Sequence, residues 1–461
     1  MENFWDFSVW GWILLLGSLL GSLLAGNILK KGFPFLKNSL IPTSVLGGTI
    51  LLIISAVYKA ITGDIMFDTA AFGGHGIQTL EIVTYHTLAL GFIASAFKTT
   101  GGKLTKQRTG EIFNTGVTTV STYLIQAILG FGITIICSLV LVGEFFNAAG
   151  VLLPFGFGQG TGQALNYGNI YEKEFGFDGG KSFGLTIAAL GFLSASIGGV
   201  IHLNVMKRSG KLVPSTRKDG TLHIEDIETE SEIPMQESID KITVQLALIA
   251  VAYLAAYFIM VLLGNLIPSF KAVIYGFNFL IGVMTATLFK VLLNFLNRKK
   301  IVRRKHTNNF LMTRVSNFFF DIMVVAGIAA IRLDILENYW GIILILAAVG
   351  MIATYAYNKV VAKALFGDYA EEQFLMMYGM LTGTASTGII LLREIDNDFK
   401  TPASDNLVFQ NFPAIALGFP IMILATLAPT RPYLTLALFT LFFIVLNVIL
   451  FRSKIFKRKN K

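Results

Sequence analysis

Apolar and polar positions in this chain fall in long blocks and do not alternate singly. Runs of about 20 apolar residues recur from end to end, separated by short polar stretches, and a run of that length spans a bilayer core about 30 Å thick. This pattern predicts membrane helices over 9–29, 41–60, 79–97, 112–142 and 182–206 in the first half. In the second half it predicts them over 242–264, 270–295, 311–333, 339–359, 404–428 and 432–451. The first run, Val9 to Leu29, exceeds a signal-peptide core, and the preceding MENFWDFS has Glu2 and Asp6 but no Lys or Arg. It is therefore expected to be a retained span. Two further apolar segments, 145–166 and 372–392, are interrupted by Gly, Thr and Ser. Backbone freed from helix at membrane depth must be satisfied by protein or an aqueous cavity, so both read as re-entrant hairpins.

Composition agrees with the blocks. Of 461 residues, 54% are hydrophobic and 14% charged, against about a quarter charged in soluble domains. A soluble globular chain is excluded. The net charge of +9 would suggest nucleic acid in a soluble protein, but here its distribution gives another reason. Lys30, Lys31, Lys37, Lys98, Lys103, Lys106, Arg108, Lys207, Arg208, Arg298, Lys299, Lys300, Arg303 and Arg304 fall in alternate loops, and Arg452, Lys454 and Lys457 in the tail. The intervening loops hold only Lys59, Lys173, Lys181, Lys271, Arg332 and Arg431. By the positive-inside rule the N-terminus is expected outside and the C-terminus in the cytoplasm of a cell membrane. The first hairpin then enters from outside and the second from inside. The single cysteine, Cys137, excludes an intrachain disulfide.

The two halves echo each other. Leu40-Ile41-Pro42-Thr43 returns as Leu266-Ile267-Pro268-Ser269, and Ala189-Leu190-Gly191-Phe192 as Ala416-Leu417-Gly418-Phe419. Gly160-Thr161 returns as Gly383-Thr384, and Gly91-Phe92-Ile93-Ala94 as Gly327-Ile328-Ala329-Ala330. The order is kept at a nearly constant offset. The fold expected is an all-α polytopic membrane protein of two inverted-topology repeats, each of five transmembrane helices and one re-entrant hairpin, with an additional C-terminal transmembrane helix. Residues 1–206 form the first repeat, 207–241 a cytoplasmic linker, 242–428 the second repeat, and 429–461 the extra helix and basic tail. His223 among Glu225, Asp226 and Glu228 in the linker matches no metal-ligand spacing and reads as a solvated face.

Candidate chemistry concentrates at the hairpin tips. The first offers Gln159, Gly160, Thr161, Gly162, Gln163 and Asn166, neutral donors and acceptors on a glycine-rich backbone. Its Gly-x-Gly-x-Gly run has no preceding strand and no following Lys, so it is not a phosphate loop; close helix packing is the other reading. The second offers Thr382, Gly383, Thr384, Ser386 and Thr387. Hydroxyl and carbonyl oxygens suit a dehydrated alkali cation, whereas helix N-termini suit a carboxylate. Such hydroxyls also serve merely to bond the preceding turn. Asp321, about ten residues into a span, is a candidate for a coupling cation or for a structural ion pair, and Glu81, Tyr85 and His86 lie in the corresponding part of the first half. Arg393 could meet a substrate carboxylate or anchor its hairpin beside Glu394 and Asp396.

These residues carry a resemblance. Gly158-Gln159-Gly160-Thr161-Gly162-Gln163-Ala164, with the stretch Tyr171 to Phe177, resembles the Gly-His-Gly-Thr-Gly-Ala-Ala signature of the bacterial sodium:glutamate symporter family. Thr382-Gly383-Thr384-Ala385-Ser386-Thr387 is similar to its Leu-Gly-Ala-Thr-Pro-Thr pattern, and Leu90 to Ser95 to its third-span motif. Gln159 stands where the family has histidine, and Ser386 where it has proline. The resemblance implies five-plus-five inverted repeats, hairpins meeting near mid-membrane, sodium-coupled uptake of glutamate with no other cofactor, and a homodimer.

The function expected is therefore sodium-coupled symport of glutamate or a related small anionic solute by alternating access. Substrate would bind at the tip residues and Arg393, and sodium at Asp321, Thr161 and Thr384. A proton-coupled or exchanging carrier for another carboxylate, or an ion channel, is the alternative. An enzyme is not expected, since the five histidines are scattered and no His-Glu-x-x-His motif occurs. Gly17 and Gly21 in the first span are spaced for a dimer contact or for packing within the chain.

Overall fold

A computed structural model of the chain describes residues 3–455 except 35, 37–40, 99–104, 141–144, 210–238, 269–270, 277, 302–303, 338 and 397–399. Residues 210–238 of the linker, His223 among them, the echo members Leu40 and Ser269, and the tail cations beyond Ile455 lie outside the described residues, as does the side chain of Ser386. Among the described residues the elements are helical: α1 (Phe7–Gly32), α2 (Thr43–Thr62), α3 (Gly76–Phe97), α4 (Lys106–Val140), α5 (Leu152–Phe157), α6 (Thr161–Phe175) and α7 (Gly180–Arg208). There follow α8 (Lys241–Leu266), α9 (Lys271–Gly276), α10 (Asn278–Arg298), α11 (Asn309–Ala329) and α12 (Trp340–Leu365). The chain continues with α13 (Ala370–Thr382), α14 (Ala385–Arg393), α15 (Ala403–Phe409), α16 (Asn411–Leu427) and α17 (Pro432–Leu450).

Among the described residues ten helices are long and apolar enough to cross a membrane, and the pair α15 and α16, bent by 49° at Gln410, would be the eleventh. The protein is a multi-pass membrane protein. Its outward side chains agree: Leu434, Leu441, Ile444 and Val448 on α17 and Leu254, Phe258 and Leu262 on α8 are exposed. Aliphatic and aromatic surface of this kind is stable against lipid and not against water. Trp5, Trp10 and Trp12 are exposed around the start of α1, where an interfacial aromatic belt is expected.

The chain divides into two compact units. One comprises Gln78–Lys103 and Lys218–Ala326, and thus α3, α8 to α10 and most of α11. Its core packs Ile93, Ala94 and Phe97 of α3 with Ile249, Ala252, Ala286, Met312 and Val315. Ser316 Oγ donates to the Gly91 carbonyl at 2.9 Å, and Gln245 fastens the turn before α11 by donating to His306 O at 2.7 Å and accepting from Asn308 N at 3.0 Å.

The other unit, Met1–Ile77, Leu104–Arg217 and Gly327–Lys461, holds α1, α2, α4 to α7 and α12 to α17 and contains the breaks between α5 and α6 and between α13 and α14. Aromatic side chains fix the short segments around the first break. Phe155 stacks on Tyr167 with ring centroids 3.8 Å apart, joining α5 to α6. The Tyr167 and Tyr171 hydroxyls donate to the Met422 and Ala425 carbonyls of α16 at 2.8 and 2.7 Å. On the surface, Asp334 in the 3-10 turn after α11 pairs with Lys59 at 2.8 Å and Arg332 at 3.0 Å.

Candidate functional site

The first break follows from sequence. α5 ends at Phe157 and α6 restarts at Thr161, and Gly160 between them has φ +81° and ψ −174°, a region open essentially to glycine alone. The amides of the first α6 turn therefore have no carbonyl of the preceding turn to bond. At the second break α13 ends at Thr382 and α14 begins at Ala385. The two breaks, more than 200 residues apart in sequence, meet. A Cβ on Gly160 would lie 3.7 Å from Thr384 Cγ2 and 3.9 Å from the Gly383 carbonyl oxygen.

Helix α4 ties both breaks together from one face. Tyr123 Oη donates to the Gly158 carbonyl at 3.2 Å, and one turn on Gln126 Nε2 donates to the Leu381 carbonyl at 2.9 Å. From another side α7 presses its backbone against both. A Cβ on Gly191 would lie 2.5 Å from Thr382 O and 3.1 Å from Phe157 Cδ2, so glycine is what lets α7 approach. Gly327, near the end of α11, would with a Cβ come 2.9 Å from Thr161 Cβ.

The polar side chains of the first break are deeply buried: Thr161 is 0%, Gln163 2% and Asn166 5% exposed, and Gln159 is half-buried. Gln163 stands out among them, because neither its amide nitrogen nor its amide oxygen has a hydrogen-bond partner in the protein. An unsatisfied buried polar group costs about 1–3 kcal/mol. At the second break Thr382 Oγ1 donates to Tyr378 O at 2.6 Å, bonding the preceding turn, while the Thr384 and Thr387 hydroxyls pair at 3.4 Å. Of the expected site residues, Gln159 to Gln163 and Gly383 to Thr387 are thus brought together, with Asn166 one turn behind. Arg393 lies exposed in the last turn of α14, eight residues and about 12 Å of helix rise from Ala385. Asp321 belongs to the other unit, as do Tyr85, which donates to Tyr275 O at 2.7 Å, and His86, which shares a 2.7 Å hydrogen bond with the Tyr253 hydroxyl.

Tyr123, Gln126, Thr354 and Asn358 were not singled out from sequence. The run Thr115-Gly-Val-Thr-Thr-Val-Ser-Thr122 was a usable signal, since so polar a stretch within a predicted span has to face protein. Another missed cluster joins three helices: His202 of α7 bonds Tyr355 Oη at 2.8 Å and Glu371 Oε2 at 2.9 Å.

A multi-span helical protein in which two broken helices meet at a buried neutral polar centre belongs, by class, to the membrane transporters. The comparison with known families narrows this. The sequence profile of the sodium/glutamate symporter family matches residues 14–400, and the chain belongs to that family. It is a transporter and not an enzyme. No curated protein matches the chain.

Proposed function

We propose that this protein takes up glutamate, or a related small anionic solute, by sodium-coupled symport, with the two helix breaks as the tips of opposed re-entrant hairpins in inverted repeats. The observation that carries the reading is the Gln163 amide, buried and unpartnered where the N-terminal ends of α6 and α14 approach. Each helix start presents N–H groups that no preceding turn of helix satisfies and the positive end of a dipole, which suits a carboxylate, and Gln163, Gln159, Asn166 and the Thr387 hydroxyl supply neutral contacts beside them. Thr161 and Thr384 offer hydroxyl oxygens for a sodium ion bound with the solute, and Gly160, Gly162 and Gly383 let backbone approach it. Thr382 and Ser386 complete the second tip. Arg393 anchors α14 at the inner interface, and Asp321 is a further cation ligand in the other unit.

Alternating access then requires the tips to be reached from each side of the cell membrane in turn, with the N-terminus outside and the C-terminus in the cytoplasm. A homodimer would form through α1, where Gly17 and Gly21 have no atom within 4 Å of an added Cβ. The test is uptake of radiolabelled L-glutamate into proteoliposomes under an inward sodium gradient, with potassium and pH gradients as controls. Sodium-dependent accumulation is expected. Accumulation driven equally by a pH gradient without sodium would replace the coupling ion, and absence of glutamate uptake alongside transport of another carboxylate would replace the substrate.

A further inference from the structure

Behind the second tip, α4 and α12 face each other through a stripe of polar side chains that no part of the solute site accounts for. Thr119, Thr122 and Gln126 lie three and four residues apart on one face of α4, and Thr354 and Asn358 four apart on α12, all at most 1% exposed. Two amides cross-link them. Gln126 Nε2 donates to Thr354 Oγ1 at 2.8 Å and to the Leu381 carbonyl at 2.9 Å. Asn358 Nδ2 donates to Thr354 O at 2.9 Å and to Thr122 Oγ1 at 3.3 Å. Both amides have thereby directed their N–H groups to protein oxygens, and the oxygens left over, Gln126 Oε1 and Asn358 Oδ1, accept no hydrogen bond from the protein. One turn further along α4, Thr119 Oγ1 is also without a partner, although Thr115, Thr118 and Thr122 each donate to the carbonyl four residues back.

The stripe thus leaves two amide oxygens, which can only accept, and one hydroxyl without a protein partner, in a place where an unmet acceptor is expensive. Neutral carbonyl, amide and hydroxyl oxygens are the ligands that a bare hard cation takes. Leu381 adds to this. It lies in the last turn of α13, where carbonyls have no amide of a following turn to bond and the helix dipole is negative, and a carbonyl oxygen holding one hydrogen bond has a second lone pair to offer.

We propose that Gln126 and Asn358, bridged by Thr354, form an alkali-cation site between α4 and α12 that takes dehydrated sodium on their side-chain oxygens, with Thr119 extending the acceptor surface. This inference rests on the symporter reading and adds to it a cation position distinct from Thr161 and Thr384. Because Gln126 also holds Leu381, one residue before Thr382, an ion here stiffens the second tip from behind. Sodium would then prepare the tip for the solute without touching it.

The test is thermal unfolding of the purified full chain in detergent without glutamate, titrated with sodium chloride against potassium chloride at constant ionic strength. Wild type is expected to be stabilised by sodium over potassium with a saturable midpoint. Asn358→Leu, close in shape, and Thr119→Val, which deletes a hydroxyl that bonds nothing in the protein, should raise that midpoint at least tenfold and about threefold. Asn358→Asp should be destabilised in potassium and rescued selectively by sodium, a readout that a purely structural asparagine would not give. Should wild type respond to sodium while Asn358→Leu and Asn358→Asp respond with unchanged midpoints, this site is overturned and the tip site stands. If sodium and potassium act alike on wild type, sodium coupling itself fails, and this site with it.

Discussion

Replacing Gln163 by methionine separates the two things its amide can be doing. Methionine nearly preserves length and volume, so packing in a site that is 2% exposed changes little. If the amide had bonds within the protein, deleting it would leave their partners stranded and destabilise the fold by about 1–3 kcal/mol. Here both amide atoms are without partners, so deletion strands nothing and removes a desolvated polar group. Unfolding of the solute-free protein is therefore expected at an equal or higher temperature in Gln163→Met. Binding should move the opposite way. Losing hydrogen bonds that only the solute completes, worth about 1–3 kcal/mol, weakens affinity roughly 5- to 150-fold at about 1.4 kcal/mol per decade. Thermal unfolding without glutamate, paired with the concentration dependence of sodium-driven uptake, measures both. A variant that unfolds earlier yet transports with unchanged half-saturation would refute the argument, because Gln163 would then be a structural residue.

Three further outcomes follow from particular contacts. Gly160→Ala forces a side chain into φ +81°, ψ −174° and should cost about 1–3 kcal/mol with uptake lost; wild-type uptake kinetics would show that the break does not need that backbone conformation. Burial works to raise the pKa of the Asp334 carboxyl, but hydrogen bonds from Lys59 and Arg332 and the Arg332 charge outweigh it and hold the pKa below its ordinary value. Since the folded pKa lies below the unfolded one, the stabilisation is complete above the ordinary carboxylate pKa and disappears as pH falls through the depressed value, below about pH 4. Asp334→Asn should flatten that part of a stability–pH profile, and an identical acid limb in the variant would rule the pair out as its source. Glu371→Gln removes the carboxylate facing His202 at 2.9 Å and should loosen the start of α13, read as faster amide exchange over residues 370–376; unchanged exchange would mean the aromatic packing of Phe374 on His202 suffices alone.

Much of this architecture was legible in the sequence because a bilayer imposes a coarse code. A helix such as α17 announces itself by length and apolarity alone, and α8 likewise. The breaks were legible for the complementary reason: Gly158-Gln-Gly-Thr-Gly162 cannot sustain a helix at the same depth. The meeting of Gly160 with Thr384 could be expected only through the repeat and the family resemblance. Residues on unbroken helices were not legible. Gln126 follows a polar run that marks a protein-facing stretch and Asn358 sits beside Lys359, but nothing local tells a polar residue that bonds its own turn, as Thr118 does, from one aimed across at a neighbouring helix. That distinction depends on helix rotation, which tertiary packing sets. The bend at Gln410 did have a mark in the sequence: Pro413 has no N–H to bond the Phe409 carbonyl four residues back, which breaks the helix there.

The chemistry of the tips gives a reason for the breaks. The side chains brought there, Gln159, Thr161, Gln163, Asn166, Thr384 and Thr387, are all neutral. A fixed arginine would bind a carboxylate tightly, but it would remain as an uncompensated charge each time the solute left, at a depth where that costs at least about 2.5–3.5 kcal/mol. Helix starts solve this differently, since their dipoles and free amides attract an anion while carrying only partial charges. Two starts brought to one place both contribute to the field, and neutral amides and hydroxyls add direction without adding charge. On the proposed mechanism the full charges at the tips arrive and depart with the cargo, anion and sodium together, so the empty site stays tolerable in the membrane interior. On that proposal, breaking a helix twice at membrane depth would be the means by which a nearly uncharged core binds an ion.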